Sequence, residues 1–217
     1  MTLDPHSSHH PRSPGRPVDP EARQARMTQI LNAAKLCFAE KGFHGAGTAE
    51  ISRSAGVSVA NMYQYFASKE ELIFALAEEA LQEDLELILQ LKDKPDLMAG
   101  LLQTFEAIVN GAHSDPAFWI RVEIFAEATR NERVRDRLVA NELQAVQALT
   151  EILRQGQEAG QIRQDQSAEA MAEFLLRLVD GFYSGAGAGL VISSGAVSTA
   201  LALIRAALSL NCNPLGI

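Results

Sequence analysis

The order of apolar and polar positions along this chain predicts one helix after another and no strand. Met27, Ile30, Leu31, Ala34 and Phe38 recur at i, i+3, i+4, i+7 and i+11, which places them on one face of an α-helix. Gly42 is expected to end that helix, since glycine takes the left-handed conformation of a C-terminus without steric cost. Two short helices follow, one over residues 48–54 and one from residue 58 to about residue 65. Ser68-Lys69-Glu70-Glu71 has the form of a capping box and opens a long apolar-striped helix to about residue 92. The chain restarts at Pro95-Asp96, and Ser114-Asp115-Pro116 starts another helix with proline near its first turn. A charged run over residues 130–137 marks an exposed turn and a helix that reaches about Gly160. Ser167 caps a helix from residue 168 to about residue 190, and residues 197–210 form the last. The expected fold class is all-α: a three-helix N-terminal unit at residues 21–67, then a helical body at residues 68–217.

Residues 1–20 are rich in Pro, Ser and His and have no apolar period, so they are expected to form a disordered arm. Three histidines there (His6, His9, His10) are weak metal ligands in a floppy tail, and no metal site is expected. Residues 181–204 carry no charge and are long enough to span a bilayer. They also hold Ser184, Ser193, Ser194, Ser198, Thr199 and five glycines, so they read as two helices meeting at a loop and buried by protein. The run Gly185-Ala-Gly187-Ala-Gly189 lacks the preceding strand and the spacing of a nucleotide-binding loop. The first twenty residues contain no apolar run of the signal-peptide kind, and a cytoplasmic product without membrane partners is expected. Cys37 and Cys212 lie too far apart to suggest a disulfide framework or a zinc site.

Charge changes the picture. The chain has 19 Lys/Arg and 27 Asp/Glu for a net −8, which argues against a nucleic-acid binder until the distribution is considered. Residues 1–70 hold eight basic and six acidic residues, and the rest holds eleven and twenty-one. A mildly basic head on an acidic body fits a DNA contact confined to one end. No Ser/His/Asp set, metal-ligand spacing or phosphate-binding loop is present, and pairs such as Glu78-Glu79 read as solvated helix faces. An enzyme is therefore not expected, nor a cofactor.

Function concentrates in residues 42–72, GFHGAGTAEISRSAGVSVANMYQYFASKEEL. Two short helices around Ala55-Gly56-Val57 make a helix-turn-helix, with Gly56 supplying the positive φ of the turn. Ile51, Ala55, Val57 and Met62 would fill the wedge between the helices and Phe38, and Ser58 can cap the second helix, whose exposed N–H groups suit a DNA phosphate. The segment Ile51-x-x-x-Ala55-Gly56-Val57-Ser58-x-x-x-Met62-Tyr63-x-Tyr65-Phe66-x-Ser68-Lys69-Glu70-x-Leu72, with Phe38-Ala39-Glu40-Lys41-Gly42-Phe43 before it, resembles the N-terminal signature of the tetracycline-repressor (TetR) family. That resemblance covers about residues 22–75. Later phrases such as Phe125-Ala126-Glu127-Ala128 and Asp180-Gly181-Phe182 resemble the family's regulatory half only in general character.

The resemblance implies phosphate contacts for Thr48, Tyr63, Tyr65 and Lys69; the plain alternatives are half-buried packing for the tyrosines and a solvated charge for Lys69. Base reading is expected from the outward residues of the second helix, Val59, Ala60, Asn61 and Gln64. That helix has no Arg or Lys, so amides and methyl groups must read the bases, which favours A/T pairs. Arg12 and Arg16 in the arm are candidates for a minor groove, with a solvated tail the equal alternative. Ala46-Gly47 replace the Thr/Ser-rich residues that often precede the first short helix in the family, leaving Gly47 as a weak N-cap.

In the body, Met171, Phe174, Leu175, Leu178 and Phe182 form one stripe, and the last helix is apolar nearly all round. Such a pair needs cover on more than one side, which a four-helix interface with a second copy supplies. The expected partners are a palindromic double-stranded DNA operator, a second copy joined through the last two helices, and a small-molecule effector that biases two states. Candidate effector contacts are Met98, Phe105, Trp119, Phe125 and Phe182 as walls, with Asn110, His113, Arg121 and Glu123 as polar groups; ordinary core or surface placement is the alternative for each. The competing function is a DNA-associated structural protein without effector.

Overall fold

The computed structural model describes residues 19–111, 116–187 and 189–210. Asp19 starts α1 (Pro20–Gly45): its carboxylate accepts from the N–H groups of Glu21 and Ala22 at 3.0 and 3.4 Å, and Pro20 occupies the first turn, where no N–H is needed. Gly42 breaks the helix with φ 71°, as its sequence position predicts, but one more helical turn follows to Gly45. α2 (Thr48–Ser54) and α3 (Val59–Tyr63) are the two short helices. They are followed by α4 (Lys69–Leu91), α5 (Leu97–Gly111), α6 (Pro116–Ala128), α7 (Glu132–Glu158), α8 (Ala168–Gly187) and α9 (Ser194–Leu208). Among the described residues there is no strand.

Polar residues fix most of the starts. Ser68 Oγ accepts from Glu71 N at 3.2 Å, Asp96 Oδ1 from Ala99 N at 2.9 Å, and Asn131 Oδ1 from Arg133 N at 3.1 Å. The last helix begins three residues before the expected point because Ser193 caps it, accepting from Ala196 N at 3.1 Å.

Two apolar clusters hold the fold. The first joins Ile30, Ala34 and Phe38 of α1 to Ile51, Met62, and Leu72, Ile73 and Leu76 of α4, and it also takes in Ile120 and Ile124 of α6. The second joins Leu81, Ile88 and Leu91 of α4 to Leu101, Phe105, Leu149, Leu153, Leu175 and Ile204. α4 therefore lies in both cores, and the packing runs through the 67/68 boundary expected from the sequence. Each fully buried Ile or Leu here contributes roughly 1.5–3 kcal/mol. Gly156, inside α7, lets α5 approach: a Cβ there would lie 2.2 Å from Leu97 Cδ2.

The α8 stripe divides between the core and an outward face. Met171, Ala172, Leu175, Tyr183 and Ala186 are buried, whereas Phe174 is 46% exposed and Leu178 and Phe182 are half-buried. On α9 and the preceding loop, Leu203 and Val191 are also exposed. The buried face is rotated toward α7, and a separate apolar face is left outward. Among the described residues no helix is long and apolar enough to cross a membrane.

Candidate nucleic-acid interface and body cavity

The helix-turn-helix is built from its buried side. Ile51 and Met62 are fully buried and root α2 and α3 against Phe38, and Ser52 Oγ lies 3.4 Å from Met62 Sδ. Gly56 has φ 63°, and Gln29 of α1 donates from Nε2 to Ala55 O at 2.7 Å, fastening the turn to α1. Ser58 caps α3, accepting from Asn61 N at 3.1 Å. α2 begins at Gly47 with no side-chain cap, and Glu50 pairs with Lys41 rather than turning back on its own helix.

Rooting Met62 inward turns the rest of α3 outward. Val59, Ala60, Tyr63 and Gln64 are exposed, so four of the expected DNA-facing residues share one open face. Asn61 is half-buried, and its Nδ2 donates to Gln64 Oε1 at 3.2 Å, so the two amides present themselves as a pair. Thr48 stands half-buried at the first position of α2. Tyr65 is half-buried beneath Arg23, whose guanidinium carbon lies 5.0 Å from the ring centre.

Lys69 is neither a free phosphate ligand nor a solvated charge. Its Nζ donates to Phe43 O at 2.7 Å and Ala46 O at 3.3 Å, and it lies 4.5 Å from the Phe43 ring centre. An ammonium has three N–H donors, so one remains for a phosphate. Arg23 and the exposed Arg53 are basic groups on this unit that sequence reasoning passed over. Nothing in linear spacing brings Arg23 onto Tyr65; α1 has to fold back across the turn first. Arg12 and Arg16 lie outside the described residues.

The unit is tied to the body at the end of α1. Phe43 N donates to Glu123 Oε2 at 2.9 Å, and His44 Nε2 lies 2.9 Å from the carboxylate of Glu127, itself buried on α6. Glu123 thus links α6 to the end of α1, and it lines neither of the two spaces in the body.

In the body, α4, α6, α7 and α8 border a partly open cavity lined by Asp84, Arg121, Phe125, Asn141, Glu142 and Asp180, among others. A second space, almost wholly apolar, continues from Asp84 along Leu87, Phe105, Leu175 and Val179. Of the expected effector residues, Arg121 and Phe125 line the first and Phe105 the second. Phe182 packs edge-to-face on Phe105, 5.4 Å between centres, and Met98 packs against the same core. Trp119 is 41% exposed and lines neither space. Asn110 is exposed, and His113 lies outside the described residues.

Arg121, in the wall of the first space, is already engaged within the protein. Its guanidinium forms a fork on Asp84 (2.8 and 2.8 Å), donates to Ala80 O at 3.1 Å and lies 4.8 Å from the Tyr183 ring centre. Burial works against its charge, but Asp84 outweighs burial and raises its pKa. Burial pushes the Tyr183 phenol up to about 12. Sequence reasoning missed Asp84, Asn141, Glu142 and Asp180, which look like ordinary polar positions on three separate helices. Among the described residues no group of three His, Cys, Asp or Glu side chains is placed to hold a metal ion.

Comparison with known proteins agrees with this layout. Residues 30–76 match the family described as bacterial regulatory proteins, tetR family, and residues 98–210 match the BetI-type transcriptional repressor C-terminal family. The chain is 32% identical over 161 residues to the HTH-type transcriptional regulator UidR of Escherichia coli K12, covering 73% of this chain and 80% of that protein. It superposes on the structure of Salmonella enterica GusR with TM-score 0.73 at 26% identity, covering 83% of this chain and 94% of that one. It shares its fold with Bacillus subtilis FadR solved in complex with stearoyl-CoA (TM-score 0.67, 19% identity, 82% and 96% covered).

Proposed function

The chain belongs to the TetR family of bacterial transcriptional regulators, and on that premise we propose that it is a homodimeric repressor released from a palindromic operator by a small molecule in the α4–α6–α7–α8 cavity. The family is one of DNA-binding regulators, not enzymes. The observation that carries the reading is the outward face of α3, held in place by the fully buried Met62.

In this reading α3 enters the major groove. Val59, Ala60, Asn61 and Gln64 meet base edges, while Thr48, Tyr63, Tyr65 and the remaining Lys69 N–H meet phosphates; Ser58 holds α3 in register. Arg23, stacked on Tyr65, adds positive charge on the same side. The outward apolar face around Phe174 and Leu203 supports pairing of α8 and α9 with a second copy. Two copies place their α3 helices on successive turns of the duplex, roughly 34–36 Å apart. The effector reading is supported by α4 and α6, each of which runs from the cavity to the DNA-binding unit. α6 carries Arg121 in the cavity wall and Glu123 on Phe43 N. A ligand that moves α6 therefore bears directly on the end of α1.

Site selection from random duplexes, followed by anisotropy titrations over a salt series, tests the DNA reading. The expected result is a palindrome with A/T-biased half-site cores and an affinity that falls steeply with salt. Uniformly G/C cores would reject the base-reading assignment, and salt-insensitive or absent binding would reject the interface.

A further inference from the structure

The cavity wall specifies the chemistry of its ligand, given the reading above that the cavity takes an effector. Asn141 is 6% exposed and lines it. Its Nδ2 donates to Ala77 O at 3.0 Å, and because a carbonyl only accepts, that bond fixes which end of the amide is which. Asn141 Oδ1 is then left buried with no hydrogen-bond partner among the described residues. A buried acceptor of this kind calls for a donor.

The charges around it have the matching sign. Asp84, Glu142 and Asp180 line the space against one cation, Arg121, whose charge is paired in a fork on Asp84 and which also donates to Ala80 O. Arg177 pairs with Glu142 at 3.1 Å and Asp180 at 3.0 Å, but it is 59% exposed and lies outside the lining, where water screens it. Burial pushes both the Glu142 and the Asp180 carboxyl up, with Arg177 only partly opposing it. Both carboxylates therefore gain from a further positive charge brought inside. From Asp84 the wall turns apolar, with Leu87, Leu175 and Val179 bordering the second space.

We propose that the effector is an amphipathic cation, with an ammonium- or amidinium-type head donating among Asn141, Glu142 and Asp180 and an apolar tail lying along Leu87, Leu175 and Val179. An anionic head would meet the Glu142 and Asp180 carboxylates beside an Arg121–Asp84 pair whose charges already offset each other. A neutral tail without a donor would leave Asn141 Oδ1 unsatisfied.

Decylammonium and decanoate, each below its micellar concentration, test this on the full chain. Binding is read from the fluorescence of Trp119, the sole tryptophan, and by calorimetry; release is read from operator anisotropy. Decylammonium is expected to bind at least tenfold tighter than decanoate, and Glu142→Gln and Asp180→Asn to weaken it by roughly ten- to hundredfold each. The same variants should keep operator affinity and leave decanoate binding unweakened. Equal or tighter decanoate binding, no binding of decylammonium, or unchanged decylammonium affinity in both variants overturns the proposal. The two readings fail differently. Decanoate that binds and releases DNA sinks the ligand class and keeps the effector cavity. Decylammonium that binds with the expected variant response but leaves the operator occupied keeps the class and sinks the effector role.

Discussion

Replacing Lys69 by methionine separates two jobs that this side chain is positioned to do. Methionine keeps the aliphatic stem on the Phe43 ring but removes the charge and both hydrogen bonds, to Phe43 O and Ala46 O. Those carbonyls close the last turn of α1, where the chain leaves for α2. A hydrogen bond to a charged group contributes roughly 1.5–3 kcal/mol when well shielded. Lys69 is half-buried and its second bond is long, so both bonds together are better placed at about 2 kcal/mol. Loss of the cation–π contact adds roughly 0.5 kcal/mol. A change of that size lowers the unfolding midpoint of a chain this long by roughly 5–10 °C. The third N–H, if it meets a phosphate, contributes about 0.9 to the slope of log affinity against log salt. Lys69→Met is therefore expected to lower the midpoint and to flatten that slope by about one unit, read by calorimetry and by anisotropy on the selected operator. An unchanged midpoint would refute the tether to the end of α1. A lowered midpoint with an unchanged slope would refute the phosphate contact and leave Lys69 as a purely internal clasp.

The body offers sharper steric and electrostatic tests. Gly156→Val drives a branched side chain into the packed core where a Cβ alone would already overlap Leu97 Cδ2; a loss of about 1–3 kcal/mol is expected in urea unfolding, and full stability would mean that α5 does not dock where described. Phe174→Glu puts a charge on the outward apolar face, so light scattering should show a monomer and operator affinity should drop by about a hundredfold or more; a persistent dimer would place the interface elsewhere. Glu142 and Asp180 have folded pKa values raised first by burial, so the native state holds more protons than the unfolded chain between the ordinary carboxylate range and the raised values. Stability from these groups is present at low pH and is lost as pH rises through that window. The double variant Glu142→Gln, Asp180→Asn should flatten this fall in pH-dependent unfolding, and an unaltered profile would show that neither carboxyl is desolvated.

How much of this was legible in the chain depended on whether neighbours in space were also neighbours in sequence. The helix-turn-helix was, because its parts are local: Met62 inside, Gly56 in the turn and Ser58 at the cap lie within seven residues of one another, and spacing alone assigns their roles. Helix starts followed for the same reason, since a cap reaches only two or three residues ahead. Lys69 marks where that reasoning stops. Its charge is visible, but its partners are carbonyls 23 and 26 residues back, reached only after α1, α2 and α4 have packed. The division of the α8 stripe between core and outer face was hidden for a related reason. Periodicity shows that a helix has an apolar arc, but an arc as wide as that of α8 does not say which edge meets α7 and which is left for a partner. The cavity was least legible of all. Asp84, Arg121, Asn141 and Asp180 come from four helices, and each alone looks like a polar residue on a solvated face. What distinguishes them is desolvation, which a linear pattern does not encode. Once Asp84 has taken Arg121, the charge of the one cation in the lining is paired, and the acceptor left over on Asn141 follows from the packing of four helices, not from any motif.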